Sequence, residues 1–288
     1  MAMALVTGTS TGIGFATAVA LGRAGHEVYA TMRRPDRAPE LASTAAKDKL
    51  PIKILPMDVD DDASVVKAIA QVLAGGGRID VLVNNAGIDL KGAIEELPLA
   101  EFRRVMETNY FGALRCIQAV VPEMRARRSG HIINVTSVAG RLSLASQAPY
   151  AASKWALEAA SEALAQEVKL FGIHVSIVEP GLIATPILDK RREVPANTRY
   201  PQERRLNALF NASLKQSISP FLVADKIVEI VKYKTWKLRH PVGPDAEPIL
   251  AYRASMTDEQ WVDLHSLKSD QEWAAVIKRD LGLEVVLP

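Results

Sequence analysis

The chain is expected to fold as an α/β protein, a doubly wound parallel sheet held between two layers of helices. Short runs rich in β-branched residues alternate with longer helical patterns through the first two thirds of the sequence. Those short runs are apolar nearly throughout, as suits strands covered on both faces. Parallel neighbours need a crossover connection, so the alternation places helices on both sides of the sheet.

MALVT (3–7) is the first strand, and its apolar start lacks a basic region and reaches glycine too soon for a signal peptide or a membrane span. HEVYAT (26–31), PIKILPM (51–57), RIDVLVN (78–84), GHIINVTS (130–137) and GIHVSIVEP (172–180) supply five further strands. Helical patterns run between them, among them DDASVVKAIAQVLA (61–74) and KWALEAASEALAQEVKLFG (154–172), the second stopped by Gly172. Residues 186–219, with several prolines and Lys190, Arg191, Arg192, Arg199, Arg204 and Arg205, read as a loop with one or two short helices. A helix over 223–236 and a last strand over 237–243 follow. The tail from 257 to 282 carries Trp261, Leu264, Leu267, Trp273 and Ile277, an apolar stripe expected to pack on the core or a partner subunit. No repeat or low-complexity linker interrupts the chain, so one domain is expected. Residues 1–185 would form its cofactor-binding and catalytic core, 186–222 a substrate-binding loop, and 223–288 a C-terminal extension with extra helices.

Composition narrows the function. The 288 residues are 48% hydrophobic and 24% charged, with a net charge of +2 spread along the chain, which disfavours a nucleic-acid partner. A single cysteine, Cys116, forbids an internal disulfide and lies in a helical apolar pattern, so a buried inert thiol and a reducing, cytoplasmic setting are expected. The five histidines show no ligand spacing, which argues against a metal site; His131 and His174 open strands, and Tyr110 reads as a packing residue.

TGTSTGIG follows the first strand, with Gly8, Gly12 and Gly14 ahead of the helical run FATAVALGRAG. A tight strand-to-helix turn needs positive φ or close backbone approach, which glycine allows, and the helix N-terminus then offers free N–H groups to a phosphate. The spacing differs from GxGxxG and lacks the GK[ST] of a P-loop, so a dinucleotide is expected rather than ATP hydrolysis. ATMRR ends the second strand, where an NAD-binding protein would place a carboxylate for the ribose hydroxyl. Arg33 suits a 2′-phosphate instead, favouring NADP(H) over NAD(H). A solvated Arg33–Arg34 pair is the plainer alternative. In PYAASK (149–154), a helix would set the Tyr150 phenol beside the Lys154 ammonium.

With the glycine turn, NNAG (84–87) and YAASK (150–154) in this order, residues 3–185 resemble the short-chain dehydrogenase/reductase family, in the TGxxxGxG form of its shorter, single-domain branch. The resemblance implies a Rossmann-type, three-layer fold, with Gly8, Ser10, Thr11, Ile13 and Gly14 cradling the cofactor pyrophosphate and Asp58 of MDVDD on the adenine. It implies that Asn85, Ala86 and Gly87 line the pocket between adenine ribose and nicotinamide, and that Pro180, Ile183 and Thr185 of EPGLIAT border the nicotinamide.

Reducing a carbonyl by hydride transfer requires a proton at the oxygen as negative charge develops there. Tyrosine is a poor base near neutrality until its ionised form is favoured, which Lys154 one turn away would do for Tyr150. By resemblance Lys154 also binds the nicotinamide ribose, Ser137 donates to the substrate oxygen, and Asn109 of METNYFGA holds a water linking Lys154 to solvent. The expected tetrad is Asn109, Ser137, Tyr150 and Lys154.

Segments expected to face the substrate are VAGRLSLASQA (138–148), IDLKG (88–92) and the loop after Pro186; the first is mostly small and apolar, which points to a lipophilic carbonyl or alcohol. VYATMRR and the long C-terminal third resemble the branch that includes hydroxysteroid and retinol dehydrogenases. The arginines of 190–205 would either select an anionic substrate or form a solvated loop. The resemblance further implies a homodimer or homotetramer, and NADP(H) in a reduced cytoplasm implies carbonyl reduction. A cofactor sensor or scaffold of the same fold without turnover is the alternative.

Overall fold

The computed structural model describes residues 1–188, 194, 198–214, 218–233 and 235–287. Strands β1 (Met3–Thr7), β2 (Glu27–Met32), β3 (Ile52–Pro56), β4 (Val81–Asn84), β5 (Gly130–Val135), β6 (Ile173–Pro180) and β7 (Arg239–Val242) form one sheet in the order β3-β2-β1-β4-β5-β6-β7. Every neighbouring pair is parallel. The order reverses between β1 and β4, the place in such sheets where a crevice opens beyond the carboxyl ends of the strands.

Helices cover both faces. α1 (Gly12–Arg23), α2 (Glu40–Lys47) and α8 (Phe221–Lys232) bury Val19, Leu21, Leu41, Val223 and Ile227 against Ala4, Val6, Val83 and Ile133. On the other face α3 (Asp62–Gly76), α5 (Gly112–Arg127) and α6 (Ala148–Val168) pack Val65, Val72, Ile117, Val120 and Val168 on Leu5, Leu82 and Ile132. Adjacent residues of one strand thus serve opposite cores, which is why the central strands are mostly apolar, with buried Asn84 donating to Asn134 Oδ1 at 2.8 Å between β4 and β5. The edge strand β3 differs: its Lys53 is outside the core and donates to Glu27 Oε1 at 2.6 Å.

Several boundaries depart from the sequence reading. α6 begins at Ala148, six residues before the expected Lys154, because Pro149 occupies its first turn, where a missing N–H is harmless. Gly172 does stop that segment, with φ +68 and a position where a Cβ would lie 2.5 Å from the Arg128 carbonyl oxygen. β5 ends at Val135, so Ser137 stands beyond the strand and caps a single 3₁₀ turn, Val138–Gly140. Asn109 lies in a π-helical turn, Glu107–Phe111, between α4 (Leu99–Met106) and α5.

The C-terminal third holds more order than its sequence pattern shows. α7 (Gln202–Leu214) precedes α8, and α9 (Ala246–Ala254) follows β7 where no element was expected. The tail stripe is divided between α10 (Asp258–His265) and α11 (Asp270–Leu281), each opened by its own cap, Thr257 with a full capping box and Ser269. Of the basic run after 186, Lys190, Arg191 and Arg192 lie outside the described residues. Arg205 is not a solvated loop residue: only 2% exposed, it donates to Asp270 Oδ1 at 2.6 Å and to the Leu267 carbonyl at 2.7 Å, fastening α7 to the tail.

Candidate active site

A continuous cavity of about 840 Å³ lies at the carboxyl ends of β1, β2, β4, β5 and β6. One wing begins at the first turn of the chain. Gly8 and Gly12 have φ +69 and +60, and Thr11 opens α1 without spending its hydroxyl on a helix cap. The N–H groups of that first turn have no partner within the helix, which makes the end of α1 an anion cradle. Gly8, Ser10, Thr11 and Ile13 line the cavity, together with Gly12, a glycine of the turn that the resemblance does not place on the pyrophosphate. Gly14 sits beneath it instead. A Cβ there would lie 2.2 Å from the Gly8 carbonyl oxygen and 2.4 Å from Asn85 Nδ2, so glycine is what lets α1 seat on the strand ends.

Asn85 is a strut as well as a wall. Its Nδ2 donates to the Thr7 carbonyl at 2.9 Å, while Thr7 Oγ1 accepts from the backbone N–H groups of Asn85 and Ala86, both at 3.0 Å. Farther along this wing lie Met32, Arg33, Asp58 and Asp60. Asp58 Oδ1 accepts from Asp60 N–H at 3.2 Å, and Asp60 accepts from Thr108 Oγ1 at 2.9 Å. Arg33 is exposed on the cavity and makes no ion pair among the described residues, whereas Arg34 pairs with Asp36 at 3.7 Å. A phosphate cradle, small residues at the turn and a guanidinium beside the β2 terminus fit a dinucleotide carrying a 2′-phosphate.

Ser137, Tyr150, Lys154 and Gly87 meet where β4 and β5 end. Tyr150 and Lys154 share a face of α6, with the ammonium 5.6 Å from the centre of the phenol ring. Ser137 Oγ accepts from Ala139 N–H at 3.1 Å, donates to the Pro180 carbonyl at 3.3 Å, and is within hydrogen-bonding reach of Tyr150. Burial pushes the Tyr150 phenol well above its ordinary pKa, the Asp89 carboxylate adds to the rise, and the Ser137 hydrogen bond opposes it. Burial pushes the Lys154 ammonium down to about 8, against the pull of Glu158 and Asp89. Its Nζ donates to the Val135 carbonyl at 2.9 Å.

Asn109 reaches the same corner from the π-helical turn. Its Oδ1 accepts from Ile88 N–H at 2.8 Å, and its Nδ2 donates to the Ile88 carbonyl and to Ser153 Oγ, both at 2.9 Å. A Cβ on Gly87 would stand 3.3 Å from that Oδ1 and 3.7 Å from Lys154 Nζ, so glycine keeps this corner open.

Pro180, Ile183 and Thr185 border the cavity. Their loop is clamped by Asp245, whose Oδ2 accepts from Leu182 N–H at 2.7 Å. The second wing is apolar, with Leu142, Leu144, Leu188, Leu209, Phe210 and Ile249 among its walls. Tyr252, Asp280, Leu281 and Leu283 close its far side, so the tail lines the cavity as well as packing on the core. Neither Asp245 nor these tail residues carries a local signal in sequence, because each meets its partners across long stretches of chain.

The family of short chain dehydrogenases matches residues 2–196. The chain belongs to the short-chain dehydrogenase/reductase family. Retinol dehydrogenase 8 of Bos taurus is 36% identical over 87% of this chain and 84% of its own length. A short-chain dehydrogenase structure from Streptomyces avermitilis is 35% identical, with a TM-score of 0.77 over 96% of this chain and 97% of its own. A variant of the actinorhodin polyketide ketoreductase solved with NADPH is 27% identical, with a TM-score of 0.73 over 83% of this chain and 95% of its own. As a short-chain dehydrogenase/reductase, the protein is an oxidoreductase. No described helix is long and apolar enough to cross a membrane, and the described residues contain no group of three His, Cys, Asp or Glu side chains suited to a metal ion.

Proposed function

We propose that the protein is an NADP(H)-dependent oxidoreductase that interconverts a lipophilic carbonyl and its alcohol, with Tyr150 as acid/base. The observation that carries this reading is the meeting of Ser137, Tyr150 and Lys154 where a phosphate-cradling wing joins an apolar one. When bound, NADPH supplies the hydride and, once oxidised, a positive ring beside the phenol. Gly8, Ser10, Thr11, Gly12 and Ile13 would hold its pyrophosphate, Arg33 its 2′-phosphate, and Lys154 its nicotinamide ribose. The related ketoreductase was solved with NADPH, which supports that cofactor.

In the reducing direction the carbonyl carbon gains hydride while its oxygen takes the Tyr150 proton, leaving a phenolate. Ser137 Oγ donates to the same oxygen, so charge developing there meets two fixed donors. Burial disfavours the phenolate, and the role of the Lys154 ammonium, 5.6 Å from the centre of the ring, would be to offset part of that penalty once the phenolate forms. Asn109, its side-chain amide engaged with Ile88 and Ser153, holds the 85–88 loop against Lys154. The apolar wing and the likeness to a retinol dehydrogenase support a lipophilic substrate.

Tyr150→Phe removes one oxygen and leaves the cavity shape intact. It is expected to lower kcat for carbonyl reduction by at least about 100-fold while NADPH binding, followed by quenching of protein fluorescence, stays within about twofold. Retained turnover in that variant would refute the assignment. NADPH binding without turnover of any carbonyl by the wild type would point to a cofactor sensor instead.

A further inference from the structure

Three consecutive residues at the end of β5, Val135 to Ser137, meet three successive turns of α6. Ser137 contacts Tyr150, the Val135 carbonyl accepts from Lys154, and Thr136 Oγ1 donates to Glu158 Oε1 at 2.6 Å. Glu158 therefore stands one turn beyond Lys154 on the same face as Tyr150. It is 4% exposed, and a carboxylate so buried is costly unless something holds it. The turn before α6 admits it closely: a Cβ on Gly140 would lie 2.8 Å from Glu158 Cγ and 3.2 Å from the Lys154 carbonyl oxygen.

The charges around Glu158 come from three further elements. Arg239 of β7 donates from Nε to Glu158 Oε2 at 3.1 Å and from a terminal nitrogen to Glu162 of α6 at 2.6 Å. Glu179 of β6, fully buried, stands 3.8 Å from the same Nε, and Arg141 after the 3₁₀ turn donates to it at 3.0 Å. Three carboxylates thus face two guanidiniums, a surplus of one negative charge. Lys154 faces this cluster along α6, with Asp89 the other carboxylate acting on it.

Resting on the assignment of Tyr150 and Lys154 above, we propose that Glu158 is a positioning residue for that pair: held by Thr136 and Arg239, it supplies the fixed negative charge that keeps Lys154 an ammonium inside the protein. Without it, burial would drive Lys154 further toward the neutral amine, with Asp89 left to oppose it. Lys154 would then lose the charge that steadies the Tyr150 phenolate. The consequence is a site whose working pH range is set by a side chain that touches neither substrate nor cofactor.

The test reads Lys154 directly, in full-length protein carrying ¹³C-labelled lysine, with its Cε resonance identified by loss in Lys154→Arg. In Glu158→Gln, which keeps the volume and an acceptor for Thr136, the titration midpoint of Lys154 is expected to fall by about one pH unit, a tenfold weaker hold on the proton. Glu158→Asp retains the charge and is expected to stay within about 0.3 unit of wild type. The alkaline limb of NADPH-dependent carbonyl reduction is expected to move to lower pH with the Gln midpoint and not with Asp. A Lys154 midpoint unmoved in Glu158→Gln overturns the proposal, whatever happens to turnover. A shifted midpoint in a protein that reduces no carbonyl would uphold it and sink the catalytic assignment instead. Should Gln alone fail to fold, Glu158→Met with Arg239→Met removes both partners of the pair; because a guanidinium leaves with the carboxylate, a downward shift smaller than in Gln but above about 0.3 unit is expected, and no shift overturns the proposal.

Discussion

Arg33 and Arg34 are neighbours of one residue type with different surroundings. Arg34 has a carboxylate partner in Asp36, while Arg33 faces the cavity with its guanidinium unpaired among the described residues. A guanidinium free to meet a phosphate adds charge-assisted hydrogen bonds that the 2′-hydroxyl of NADH cannot match. Arg33→Ala is therefore expected to weaken NADPH binding by about 1.5–3 kcal/mol, roughly 10- to 100-fold, and to leave NADH binding within about twofold. Dissociation constants for both cofactors measure this. Equal losses for NADPH and NADH would mean that Arg33 holds the loop rather than the phosphate. The other cavity cation near this wing, Arg104, already binds Glu101 at 2.7 Å, so it is a poorer candidate.

Individual elements show where sequence reading works and where it stops. The strands were readable because burial on both faces demands continuous apolar runs, and each run found in the sequence is a strand of the sheet within a few residues. Gly8, Tyr150 and Lys154 were readable because their geometry is local: a positive φ at a turn, and one helical turn between phenol and ammonium. The start of α6 was missed because Pro149 looks like a break in sequence, although the first turn of a helix tolerates it. The π-helical turn holding Asn109 has no periodic signature, since a single extra residue per turn only shifts the phase of the apolar face. For Arg205 the sequence offers only an anionic substrate or a solvated loop, because nothing near it in sequence reveals Asp270 or the carbonyls of Leu267 and Lys268.

That buried guanidinium makes α7 and the tail one packing unit, with Trp273 also beneath it at 5.8 Å. Arg205→Ala leaves the Asp270 carboxylate and two tail carbonyls without their donor, and is expected to loosen α10 and α11 by about 2–4 kcal/mol. Amide hydrogen exchange should report this as lost protection over 258–281, with β1, β4 and β5 unchanged. Equal loss of protection across the sheet would show that the tail and the sheet open together.

Considered as one body, the molecule builds its cavity from two parts of the chain with different duties. The phosphate wing comes mainly from the turns after β1, β2, β3 and β4, before residue 90, whereas the far side of the apolar wing comes from α7, α9 and the end of α11. Ser137, Tyr150 and Lys154 sit at the seam. A change to the far wall should therefore alter what is reduced without altering how the cofactor is held. Ile249, partly buried on that wall, tests the division. Ile249→Asp sets a carboxylate against the body of an apolar substrate, which forfeits about 1.5–3 kcal/mol of burial. For a bulky aliphatic or polycyclic ketone kcat/KM is expected to fall about 10- to 100-fold, most of it through KM. For a ketone of a few carbons, too short to reach α9, the fall should be within about threefold, and the NADPH dissociation constant should not change. If large and small ketones lose equally, or if NADPH binding weakens in step, the tail acts on the fold of the whole cavity and not on substrate choice.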